Sequence, residues 1–228
     1  MSSNTQPAQE QEILGSAASK TELFIEKNGR NLVYALAAVV LVAVIVFGAR
    51  AFIVEPREQR AVEMIFAAQQ QMESLEPDYN VALMGDGVNA GFLDIIEDYG
   101  STKSGNIAKH YAGISYLNLG DLENAAKYLA MYKPVKGLPG TVINAQNLGV
   151  QGDIASQNGD YAQAVKLYLA AVESADNDIT SPLYMLKAAL VLSATGDKAK
   201  AEELLTSIKS EYPNSLEARD ADKYIGKL

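Results

Sequence analysis

Between Leu32 and Ala49 the chain reads LVYALAAVVLVAVIVFGA, eighteen residues without a charged side chain. A helix of that length, rising about 1.5 Å per residue, spans about 27 Å, close to the ~30 Å hydrocarbon core of a bilayer. A helix buried in a soluble core rarely stays apolar on every side for five turns. Arg50 closes the run and the apolar Ala51 to Val54 follow it. An arginine near a helix end can snorkel to the headgroups, so the predicted transmembrane segment is 32–54. Tyr34 and Phe52 stand where an interfacial aromatic belt belongs, in a chain with no tryptophan. The segment divides the chain into a tail 1–31, a signal-anchor helix 32–54 and a domain 55–228, and tail and domain must face opposite sides.

The tail holds three basic and four acidic residues, and residues 50–228 hold 16 basic and 24 acidic ones. A domain with that excess of negative charge lacks the basic stripe that nucleic acid requires. No cysteine is present, which excludes disulfides, thiol catalysis and cysteine metal sites. Met1 to Ala18 is rich in Ser, Gln, Ala and Glu and is expected to be disordered. Ser19 to Glu22 reads as a capping box, opening a short helix that Asn28-Gly29 should break. The region ahead of the apolar run is far too long for a cleavable signal peptide, so the run reads as a retained anchor. Positive charges tie across it: Lys20, Lys27 and Arg30 before, Arg50, Arg57 and Arg60 after. A short tail before a large domain is the layout of an N-in, C-out protein.

From Glu55 the pattern becomes amphipathic, with Ala61, Met64, Ile65, Ala68 and Met72 on one helical face. Pro56 either begins that helix or kinks a continuous one. Glu76 to Asn80 breaks it. A turn on Gly85-Asp86-Gly87 and a short helix from about Ala90 to Tyr99 complete a degenerate helical pair. Beyond Ser101 the chain repeats. Leu119-Gly120-Asp121, Asn158-Gly159-Asp160 and Thr195-Gly196-Asp197 are glycine-centred turns, spaced 39 and 37 residues apart. Seven positions before each glycine stands a small residue (Gly113, Gly152, Ala189). Five after it stands an alanine (Ala125, Ala164, Ala201), and nine after it a bulky residue (Leu129, Tyr168, Leu205). Small residues at fixed places on both helices of a hairpin let the backbones approach, and the glycine takes the conformation that the turn demands.

This pattern resembles the tetratricopeptide repeat, from about Gly105 to Pro213, with Pro213 at the family's closing proline position. The 34-residue period of the family is lengthened by Pro134 to Thr141 and Asp176 to Ser181, and its Trp near the start of the first helix is absent. Asn214 to Lys227, capped by Asn214 or Ser215, is expected to close the stack. The predicted class is all-α: one N-terminal transmembrane helix, a tetratricopeptide-like stack of helical hairpins and a C-terminal capping helix. In the family's register the concave, partner-binding face takes Ile107, His110, Ile114, Leu117 and Asn118 from the first repeat. It takes Gln146, Gly149, Asp153, Ser156 and Gln157 from the second, and Leu183, Leu186, Leu190 and Ser193 from the third. The basic and Asn clamp for acidic chaperone tails is absent, with only Lys187 near a matching place. A mildly apolar groove suits unfolded or extended polypeptide.

Catalysis finds little footing in this sequence. His110 is the single histidine, a candidate base or ligand or else an ordinary packing residue, and one imidazole without cysteines makes a poor metal site. Asp176-Asn177-Asp178 lacks the glycine and the bidentate glutamate of a calcium loop. No nucleophile elbow, phosphate loop or dinucleotide fingerprint occurs. The reading is of a non-enzymatic protein without cofactor or metal. Tail, single anchor and small repeat domain together resemble the YfgM family of bacterial inner-membrane proteins, and Gly91 to Leu129 is similar to its Bacteroidetes version. That resemblance implies a single-pass inner-membrane protein with a periplasmic domain, attachment to the SecYEG translocon and partnership with a PpiD-like chaperone. It further implies a role in receiving secreted proteins as they emerge. The alternatives are a self-associating or envelope-complex assembly scaffold, with homo-oligomers, and a cytosolic adaptor of reversed topology.

Overall fold

All regular structure among the described residues, 6–137 and 140–228 of a computed structural model, is helical. The chain forms two units, Met1–Pro56 and Arg57–Leu228.

The first unit is α1 (Gln6–Ala49) followed by a π-helical turn, Arg50–Val54. From Val33 to Val46 the large apolar side chains of α1 are exposed, with nothing in the unit to cover them. Proline explains the π turn. Pro56 has no N–H to give and its ring crowds the carbonyl four residues back, so the backbone widens there instead of keeping the α register. The N–H of Glu55 accordingly reaches back five residues to the carbonyl of Arg50. Two expectations for the tail differ from the structure. Asn28-Gly29 does not break the helix: a glycine inside a helix costs about 1 kcal/mol, too little to stop a run flanked by strong helix formers. Residues 1–5 of the stretch expected to be disordered lie outside the described residues, and from Gln6 its Ala, Gln and Glu are helical, in line with their high intrinsic propensity.

In the second unit α2 (Glu55–Glu73) buries Ala61, Ile65 and Ala68, with Met64 and Met72 packed beside them, the face that the periodicity predicts. It packs with α3 (Tyr79–Met84), α4 (Phe92–Tyr99) and α5 (Lys103–Asn118) around Leu83, Phe92 and Ile95, all almost wholly buried. Two charged groups fasten α2 to its neighbours. Arg57 donates to the Asp98 carbonyl and lies over the Tyr99 ring. Glu58 accepts from the backbone N–H of Lys103 (2.7 Å) and Ser104 (3.0 Å) and from the Ser104 hydroxyl (2.7 Å). It thus satisfies donors that the start of α5 leaves open, beside the hydroxyl of the cap residue Thr102.

Three hairpins follow: α5 with α6 (Leu122–Met131), α7 (Gly140–Gln157) with α8 (Tyr161–Ser174), and α9 (Thr180–Ala194) with α10 (Lys198–Glu211). Each Gly-Asp turn does two jobs. Gly120, Gly159 and Gly196 sit at φ +81°, +79° and +95°, the left-handed region that ends a helix. The N–H of the following aspartate then bonds the carbonyl five residues back, and its carboxylate accepts from the backbone N–H of Asn124, Gln163 or Lys200 to cap the next helix. α11 (Leu216–Ile225), capped by the Ser215 hydroxyl accepting from the Ala218 N–H, closes the unit against α10 and α9.

Burial pushes the Glu58 carboxyl up, but the hydrogen bonds from Ser104 and Lys103 outweigh it and hold it below its ordinary value. A depressed carboxylate contributes stability above its unfolded pKa and loses it as pH falls through the folded one. Glu58→Ala is expected to cost about 1–2 kcal/mol at pH 7 in urea unfolding of the detergent-solubilised chain. The deficit should shrink as the pH falls below the ordinary glutamate value of 4.5.

Candidate functional site

The hairpins of the second unit are built on three matching crossings. A Cβ on Gly113 would lie 2.5 Å from Leu129 Cγ, and one on Gly152 would lie 2.6 Å from Tyr168 Cε1. Both are distances that real side chains do not tolerate, so each glycine is the space its partner fills. Ala125, Ala164, Ala189 and Ala201 are buried beside them, with Leu129, Tyr168 and Leu205 all at most 3 % exposed. Every residue expected at these packing positions is therefore inside, and the hairpin-closing Gly120, Gly159 and Gly196 lie on the surface.

The arrangement of hairpins creates a face. The backbones of the leading helices come within 8 Å of one another in series, α5 to α7 and α7 to α9, whereas among the described residues those of α6, α8 and α10 do not come that close to one another. Of the residues expected there, Ile107, Ile114, Leu117, Asp153, Ser156, Leu183, Leu186 and Ser193 are half-buried, and Asn118, Gln146, Gln157 and Leu190 are exposed. Ile107, Leu117, Leu183 and Leu186 also pack against the hairpin cores.

Two expected face residues are not available. Gly149 is buried, because the Tyr184 ring of α9 lies 2.0 Å from where its Cβ would be. His110 is fully buried. The chain after α6 brings Tyr132 over its ring and α7 brings Asn147 against it, so a residue that the register places outward is roofed by the next hairpin.

The middle of the face is polar and internally paired. The Lys187 ammonium contacts both Asp153 carboxylate oxygens at 2.8 Å, and the Tyr168 hydroxyl donates to the same carboxylate at 2.7 Å. Lys187 also lies within 6 Å of the centres of the Tyr168 and Tyr184 rings, which are stacked 6.3 Å apart. The lysine is thus committed to Asp153 and two π faces. Sequence reasoning placed Asp153 on the face, Tyr168 at a hairpin crossing and Lys187 near a clamp position, without joining them. The signal for the cluster was Asp153 one residue from the packing glycine and Lys187 two before the packing alanine.

Asparagines also went unread. Asn106 exchanges hydrogen bonds with the backbone of Lys133, and Asn144 exchanges them with Val135 while accepting from the Tyr132 hydroxyl. They pin the inserted segment to the starts of α5 and α7. Among the described residues no group of three His, Cys, Asp or Glu side chains is placed to hold a metal ion.

Two tetratricopeptide repeat family models match this chain, one over residues 145–178 and the other over 184–215. No curated protein matches it. The matched stretches hold α8 and α10 entire, most of α7 and α9, and the turns between. The α5–α6 hairpin lies outside both matches yet keeps the same glycine crossing and Gly-Asp turn. Repeats of the matched kind are protein–protein interaction modules.

Burial raises the Tyr184 hydroxyl to about 12, with the Asp153 charge adding to it. Burial raises Tyr168 as well, helped by its hydrogen bond to Asp153 and the charges of Asp153 and Tyr184. Raised phenols contribute stability that is complete below their unfolded pKa, about 10, and is lost as pH rises through the folded values. Alkaline titration at 295 nm, followed with circular dichroism, is expected to show Tyr168 and Tyr184 as a late-ionising pair, with helicity falling as they ionise. Asp153→Asn should bring the late pair to lower pH.

Proposed function

We propose that this chain is a membrane-anchored module that holds extended polypeptide along α5, α7 and α9. The observation that carries the reading is the contiguous row of leading helices, with half-exposed Ile107 and Ile114 at one end and Leu183, Leu186 and Leu190 at the other. The paired, polar middle formed by Asp153 and Lys187 lets a chain pass without a charge of its own at that point. Such a face recognises alternating apolar side chains rather than a charged terminus.

Anchoring rests on α1. Among the described residues there is one helical run long and apolar enough to cross a membrane by length and composition, within Ile25–Glu73, and its apolar window has no buried residue. In this reading α1 spans a bacterial inner membrane once, the tail stays in the cytoplasm and the repeat domain stands in the periplasm. There the domain serves the SecYEG translocon beside a PpiD-like chaperone, receiving proteins as they emerge. Support for that finer assignment is the resemblance to the YfgM family.

The test is photocrosslinking from positions 114 and 190 in cells, with position 162 on α8 as an outward control. The expected result is adducts at 114 and 190 with translocon subunits and nascent secreted chains, and none at 162. Adducts only with further copies of this chain or with envelope machinery would replace the reading by an assembly scaffold. Protease added to spheroplasts is expected to digest residues 55–228, and their protection would reverse the orientation.

A further inference from the structure

Among the described residues a single buried side-chain nitrogen or oxygen has no hydrogen-bond partner: Nε2 of His110. The residue occupies the seam where the first hairpin meets α7. Its Nδ1 lies 3.3 Å from Asn147 Nδ2. That amide nitrogen also donates to the Leu129 carbonyl at 3.3 Å, while Asn147 Oδ1 accepts from Gln151 Nε2 at 2.7 Å. The two outer bonds set the amide so that its NH2 faces the imidazole. Nδ1 must therefore be the acceptor, and the neutral ring carries its one proton on the unpartnered Nε2.

A second proton can go only on Nδ1, where it would meet the Asn147 donor head-on. Turning the amide over does not help, since its oxygen would then face the Leu129 carbonyl and its nitrogen the Gln151 donor. Among the described residues no carboxylate acts on the imidazole to offset the charge. On α5 the neighbours are Tyr111, whose ring centre is 5.4 Å away, and Lys109, whose ammonium goes to the Gly100 carbonyl. After α6 it is Tyr132, at 5.9 Å, and α7 presents only the amides of Asn147 and Gln151. On α2, Glu73 bears on the Tyr111 hydroxyl and not on the imidazole.

We propose that His110 is a proton-operated release on the seam between the first and second hairpins: protonating its imidazole separates α5 from α7 while the later hairpins stay assembled. Both sides of the seam carry face residues, Ile107 and Ile114 on α5 and Gln146 on α7, so opening it breaks the row of leading helices. The inference concerns the seam itself and stands whatever the face binds. Burial alone lowers the imidazole from its ordinary value to about 4. With the folded value depressed, the seam is intact above about pH 6.5 and weakens as pH falls toward 4. The open fraction is then expected to rise about twentyfold between pH 7 and pH 5.

As the single histidine, His110 gives imidazole NMR signals that need no assignment, provided the protein carries no tag. The experiment is a pH titration of those signals in the full chain in detergent micelles, beside amide hydrogen exchange at pH 7, 6 and 5 corrected for the intrinsic rate. The expected result is a ring that titrates far below 6.5. Exchange should rise about twentyfold along α5 and α7, stay level along α9 to α11, and show no acid-driven rise in His110→Gln. A ring that titrates near 6.5 with unchanged exchange would overturn the proposal. So would an acid-driven rise that persists in His110→Gln or that runs evenly through all the helices. Should His110→Gln fail to fold, the wild-type titration and exchange decide the matter.

Discussion

Close approach of helices at positions that carry little or no side chain is the constraint on which the repeat domain depends. At Gly113 and Gly152 the partner side chain occupies the volume that a Cβ would need. The helix–helix distance and the neighbouring buried alanines follow from that. Dispersion attraction between any two atoms there is small, but many pairs add up, and the sum requires the backbones to meet at one register. The Gly-Asp turns fix that register from the other end by stopping one helix and starting the next at a set residue. Crossings and turns repeat together, so the hairpins stack in series and the leading helices form a row.

A stack of this kind leaves its polar groups to be settled at the seams. Between the second and third hairpins the Asp153 carboxylate is met by the Lys187 ammonium and the Tyr168 hydroxyl, Lys187 lies over the Tyr168 and Tyr184 rings, and the glycines at 149 and 152 make room for both rings. Between the first and second, Asn106, Asn144 and Asn147 hold the two sides, but one nitrogen of His110 is left without a partner. Buried polar groups without partners are costly, and a native structure keeps few of them. The two seams therefore differ in how much they withstand a change of charge.

Most of the architecture was legible because its causes are local and periodic. Glycine and alanine at fixed distances from a Gly-Asp turn report the crossing directly, and every such position proved buried. The short α3 was not foreseen, since six residues are too few for a helical period to declare itself and its one signal is Asp78, which accepts from the N–H groups of Asn80 and Val81. The face was legible only in part. Whether a residue on a leading helix is open depends on what the next hairpin lays over it. Tyr132 and Asn147 cover His110, and Tyr184 covers Gly149, from 22 to 37 residues further along the chain. No spacing within one repeat records that. The Asp153–Lys187 pair, 34 residues apart, escaped notice for the same reason.

Thermal and urea unfolding of Gly113→Leu and Gly152→Leu, with the exposed Ala162→Leu as control, measures the close approach most directly. Each glycine variant is expected to lose about 1–3 kcal/mol or more, from overfilling a packed crossing. The control should stay within about 0.5 kcal/mol of the parent. Glycine variants as stable as the control would mean that the helices do not meet at these positions, and the stacked-hairpin account would fall with them.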